Sequence, residues 1–136
     1  MIIADTSGLL AFFNAREPAH EDVRRALDGR DDGLAVSPYV VAELDYLVAT
    51  RQGVTAELAV LRELAGGAYD LVHVSDDLLA RSADVVARYP DQAIGVTDAS
   101  LVVLAAHYRT RTILTLDRRH FDVLRPLDGG RFTRLP

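Results

Sequence analysis

Four carboxylates fall where alternating strands and helices would bring them together. Asp5 follows an apolar run at positions 1–4, and Glu43 lies in a helical pattern. Asp98 opens an apolar helix, and Asp117 follows Leu114-Thr115-Leu116. They are 38, 55 and 19 positions apart. Taken singly, each has a plain structural reading. Asp5 suits a helix N-cap, Asp98 a first-turn acid favoured by the helix dipole, Glu43 an exposed helix face and Asp117 a turn. Gathered in one pocket they would repel, each raising the others' pKa, unless a cation joined them. Carboxylate oxygens alone suit a hard cation, Mg2+ or Mn2+, rather than zinc. A cation so held binds substrate phosphates and activates water, so the chemistry indicated is phosphodiester hydrolysis.

The spacing of apolar residues predicts the elements that position these acids. Short apolar runs at 1–4, 34–36 and 112–116, with alternation at 70–74, predict four strands, and 131–135 a weak fifth. Between them lie helical patterns at 7–14, 20–28, from Ser37-Pro38 to Gly53, from Thr55 to Gly66-Gly67, from Ser75 or Asp76 to Tyr89, and 98–108. Ser37 is the expected N-cap before Pro38, and Thr97 the expected cap of the last helix. That helix is apolar on every side through Leu101–Ala106, the mark of a buried helix. Strands alternating with helices predict an α/β fold. Its central parallel sheet has four to five strands, with right-handed crossovers placing helices on both faces. In such sheets ligands bind beyond the strand carboxyl ends, where the strand order reverses. Adjacent first and fourth strands would set Asp5 and Asp117 on either side of that crevice.

Composition removes several competitors. The 136 residues predict one domain spanning 1–136. Cysteine is absent, which excludes disulfides, thiolate metal sites and a Cys nucleophile. All fifteen basic residues are Arg, so Schiff-base chemistry, Ser-Lys dyads and a phosphate-binding P-loop are excluded. Phospho-receiver and haloacid-dehalogenase-type sites also place Asp after the first strand, but both need a lysine, and the latter an acid where Ser7 stands. Net charge is −5, yet residues 107–136 carry seven Arg against three Asp. An acidic body with an Arg-rich end can still meet a polyanion when a metal masks some of the acids. The start lacks a signal-peptide pattern, and no apolar run is long enough to span a bilayer, so a cytoplasmic protein is expected.

Four segments in order carry a family resemblance. They are Ile3-Ala4-Asp5-Thr6-Ser7 followed by Leu9-Leu10; Ser37-Pro38 leading through Val41-Ala42 to Glu43-Leu44; Thr97-Asp98-Ala99-Ser100-Leu101; and Leu114-Thr115-Leu116-Asp117 followed by His120-Phe121. Over essentially its whole length the chain resembles PIN-domain ribonucleases, in particular VapC-type toxins of bacterial toxin–antitoxin pairs. The resemblance implies that Asp5, Glu43, Asp98 and Asp117 bind Mg2+ or Mn2+ and carry catalysis. It implies that Ser7 and Thr115 support them. It also implies an RNA substrate, a homodimer, and inhibition by a cognate antitoxin that fills the groove, often with an Arg.

The competing expectation is a catalytically inactive module of the same fold that binds RNA or antitoxin; retention of all four acids argues against it. Asp91 is expected in a turn, and Glu17, Glu21 and Asp22 on a solvated helix face. His120 and Phe121 are expected to pack the loop after the fourth strand, with Arg118 and Arg119 nearer phosphate. Tyr39, Tyr46 and Phe12-Phe13 are assigned to core or dimer packing. His20, His73 and His107 lack metal-ligand spacing.

Overall fold

The first strand, β1 (Ile2–Ala4), is buried on both faces, and the computed structural model describes all 136 residues around it. Five parallel strands form one sheet: β1, β2 (Leu34–Val36), β3 (Asp70–Leu71), β4 (Thr112–Leu114) and β5 (Thr133–Leu135), in the order β3-β2-β1-β4-β5. The order reverses at β1. Helices α1 (Thr6–Phe13), α2 (His20–Leu27), α3 (Pro38–Gln52) and α4 (Val54–Ala65) link strands toward the β3 edge. Helices α5 (Asp76–Arg88) and α6 (Val96–His107) cross back to β4, and α7 (Arg118–Phe121) leads to β5. Right-handed crossovers in opposite directions put the two helix sets on opposite faces. The packing agrees: α1 lies against α2 and α3, α3 against α4, and α5 against α6.

The sheet core is aliphatic. Ile3, Ala4, Ala35, Val36, Ile113 and Leu114 are fully buried. Helix α6 buries seven consecutive residues, Ala99 to Ala105, as its all-round apolar sequence requires. Each fully buried Leu or Ile contributes about 1.5–3 kcal/mol over leaving it exposed. Ser37 caps α3 as expected, accepting from the Tyr39 N–H at 3.2 Å with Pro38 in the first turn. Its hydroxyl also lies 3.3 Å from that of Ser100, which fastens the start of α3 to the first turns of α6.

Local departures have local causes. Gly53, at φ 90°, closes α3 and opens α4, so Thr55 lies inside α4 and caps nothing. Helix α6 opens after Gly95, not Thr97, which falls in its first turn. Strand β3 is two residues long, because only Asp70 and Leu71 reach the β2 ladder. Strand β4 stops at Leu114, and the segment that follows turns into α7, a helix that apolar periodicity does not predict.

Candidate active site

Asp5 sits at the carboxyl end of β1, where the strand order reverses, and is 5% exposed. Its backbone N–H donates to the Leu114 carbonyl at 3.0 Å, holding it against the end of β4. One carboxylate oxygen accepts from the Thr6 N–H at 2.7 Å and caps α1. The other accepts from the Ser7 hydroxyl at 2.8 Å and the Thr115 hydroxyl at 2.6 Å. The N-cap role and the site role of Asp5 therefore coexist, one per oxygen. Thr115 Oγ1 also accepts the Asp117 N–H (3.0 Å), and Ser7 Oγ accepts the Leu116 N–H (2.9 Å). These two hydroxyls tie the start of α1 to the segment after β4.

A close approach makes this possible. A Cβ on Gly8 would stand 2.6 Å from the Leu114 carbonyl oxygen. Only glycine lets the first turn of α1 rest on the end of β4, which sets Asp5 and Ser7 beside Thr115.

The other acids arrive from separate elements. Glu43 projects from α3 and accepts from the Thr6 hydroxyl at 2.8 Å. Asp98, in the first turn of α6, is held 2.6 Å from His120 Nδ1. Asp117 accepts from the His120 N–H at 2.9 Å, capping α7, and its other oxygen lies 3.3 Å from His120 Nδ1. The ring nitrogen makes these contacts without completing a hydrogen bond, and they are ion pairs only when the imidazole is protonated. All four predicted acids line one open cleft of about 430 Å³, together with Thr6, Ser7, Glu17, Arg51 and His120. Thr115 stands behind Asp5.

Electrostatics follow from burial and crowding. Desolvation pushes the Asp5 carboxyl above its ordinary value, against the hydroxyl and N–H donors that lower it. Asp98 is raised to about 6, first by burial and then by the Asp5 charge, with His120 opposing. Both shifts have the sign that a cation in the cleft would reverse. The donor set, all carboxylate oxygen, fits a hard divalent ion. As the side chains stand, no three His, Asp or Glu groups are close enough to enclose one.

The structure corrects two expectations. His120 faces the acids instead of packing the loop; Phe121 alone does that, 3% exposed. Glu17 precedes α2 and lines the cleft, whereas Glu21 and Asp22 are exposed on α2 as expected. Tyr46 is 68% exposed, which excludes the core half of its core-or-dimer assignment. Asp91 is exposed in the loop before α6 and outside the cleft lining. The role of Thr6 was missed, and only its place beside Asp5 hinted at it. For His120, the signal was its position three residues after Asp117.

Comparison with known proteins agrees with this geometry. The PIN domain family model matches residues 2–125. The chain is 62% identical over 135 residues to Ribonuclease VapC26 of Mycobacterium tuberculosis, covering 99% of this chain and all of the relative. The fold is similar to that of M. tuberculosis VapC20, described as a sarcin-ricin-loop-cleaving toxin. The TM-score is 0.80 at 21% identity, over 87% of this chain and 91% of the other. A toxin–antitoxin complex from Klebsiella pneumoniae superposes with a TM-score of 0.70 at 18% identity, over 91% of this chain and 92% of that one. The chain belongs to the PIN-domain family and, within it, to the VapC type.

Proposed function

We propose that this chain is a metal-dependent endoribonuclease, the toxin of a toxin–antitoxin pair, and that the cleft at the β1–β4 junction is its catalytic centre. One observation carries the placement: four acids drawn from β1, α3, α6 and the β4–α7 segment line the same cleft. The 62% identity to a ribonuclease supports the activity. Asp5, Glu43, Asp98 and Asp117 would hold Mg2+ or Mn2+. When bound, such an ion would lower the pKa of a coordinated water and offset charge at phosphorus.

The chain's own groups do the rest. The Ser7 and Thr115 hydroxyls fix the orientation of the Asp5 carboxylate, and the Thr6 hydroxyl fixes that of Glu43. The cleft is open, which suits single-stranded or looped RNA with an accessible phosphodiester. Its acidic lining suits a guanidinium from an inhibitory antitoxin, because carboxylates hold Arg in charge-assisted pairs. A homodimer completes the reading. No helix is long and apolar enough to cross a membrane.

The test is cleavage of RNA by the wild-type chain with Mg2+ or Mn2+, beside Asp5→Asn, Asp98→Asn and a chelator control. Cleavage lost in all three is the expected result. Equal cleavage by the Asn variants would remove the site assignment, and RNA binding without cleavage under every divalent ion would favour an inactive binding module.

A further inference from the structure

A second pocket, of about 260 Å³, adjoins the cleft. Thr115, Leu116, Arg118, Phe132, Arg134 and Pro136 line it. Leu116 lines both, and Thr115 is the residue whose hydroxyl holds Asp5. Two arginines line this pocket, and no Asp or Glu does. Arg118 is exposed and takes no part in the ion pairs made by Arg25, Arg30, Arg111 and Arg134. Arg134 Nη1 lies 3.3 Å from Asp122 Oδ1 in an off-angle contact and, although buried, lacks a hydrogen-bond partner. Leu116 and Phe132 give the pocket apolar walls. The other arginine-lined pockets, around Arg24–Arg25, Arg81 and Arg109–Arg111, share no residue with the cleft and include acids of their own.

An acidic cleft repels the phosphates on either side of the one it cleaves. A cation held there compensates only the scissile phosphate, so a neighbouring phosphate needs positive charge from elsewhere. We propose that the Arg118–Arg134 pocket binds the phosphate of the nucleotide adjoining the scissile bond, with Leu116 and Phe132 against its sugar or base. Planar guanidinium forks match phosphate oxygens in two-point pairs, and apolar and aromatic faces accept bases without reading sequence. The inference rests on the ribonuclease reading. It also gives a role to the excess of arginine in residues 107–136.

The probe is a labelled RNA hairpin with a single-stranded loop that the wild-type chain cleaves. In Arg118→Ala/Arg134→Ala, KM should rise by about 10-fold or more, the scale of removing charge-assisted hydrogen bonds. The kcat at saturating RNA should change far less. The slope of log binding constant against log salt should fall by about 0.7 for each single-strand phosphate that the variant no longer neutralises. A neutral methylphosphonate beside the cleavage site should weaken binding to the wild type and not to the double variant. Arg118→Ala alone, at an exposed position, should show part of the effect, and Arg134→Lys with a matched melting temperature guards against misfolding. Unchanged KM and salt slope in variants that melt like the wild type would overturn the proposal. So would unchanged RNA binding with abolished inhibition by an acidic antitoxin peptide, which would assign the pocket to that peptide. A wild-type chain that neither binds nor cleaves RNA would instead refute the ribonuclease reading itself.

Discussion

Replacing Asp98 by Asn should make the metal-free protein more stable while it removes activity. The carboxyl titrates from 3.8 in the unfolded chain to about 6 in the fold, driven by burial and by Asp5. Folding thus favours the protonated form, and ionised Asp98 costs stability. At about 1.4 kcal/mol per pH unit, the ceiling on that penalty is near 3 kcal/mol. Asp98 is partly solvated, with 15% of its side chain exposed, and Asn forfeits the attraction of His120 2.6 Å away. A gain of about 1–2 kcal/mol is therefore expected, or roughly 3–8 °C in melting temperature. The sign fixes the pH window. Well below the unfolded value of 3.8 the carboxyl is protonated in both states and the variant gains nothing. The gap opens between 3.8 and about 6 and is full about a unit above that. The assay is thermal and urea unfolding of wild type and Asp98→Asn in chelator at about pH 2.5, 6 and 7.5. Added Mn2+ should then reverse the order, since an ion bound only by the native state at about 100 times its Kd stabilises by about 2.7 kcal/mol. A variant less stable than wild type in chelator at the highest pH, or a gap that persists at the lowest, would overturn this account of Asp98.

Other expectations follow from the same contacts. Thr115→Val keeps the shape but removes the 2.6 Å hydrogen bond to Asp5 and the acceptor for the Asp117 N–H, so RNA cleavage should fall about 10- to 100-fold with the circular dichroism spectrum intact. Gly8→Ala drives a methyl to 2.6 Å from the Leu114 carbonyl, and urea unfolding should record a loss of about 1–3 kcal/mol. His120→Gln takes away the group that opposes the upward shift of Asp98, so the acid limb of the kcat/KM profile should move to higher pH. An unmoved limb would mean that His120 does not act on Asp98.

Much of the fold was legible because its signals are local. Runs such as Ile2–Ala4 and Leu34–Val36 have nowhere to go but a buried parallel strand, and Ser37-Pro38 carries its own cap chemistry. Helix α6 announces its burial by composition. Where local preference was weak, packing decided. Gly95 displaced Thr97 as the cap, and β3 extends only as far as β2 offers partners. Helix α7 exists because Asp117 caps it, a role that its position after Leu116 did not disclose.

Residue type and periodicity, written along the chain, were enough to say which acids were available and that an α/β sheet would carry them toward one edge. Which side chains meet was settled by the packing of the elements. His120, Glu17 and Thr6 join the cleft, and Arg134 turns beside Arg118, because contacts between positions many residues apart depend on strand order and on the close seat of Gly8 upon Leu114. Such contacts leave no periodic trace in a single chain, as their partners are set by the way strands and helices stack rather than by neighbours in sequence.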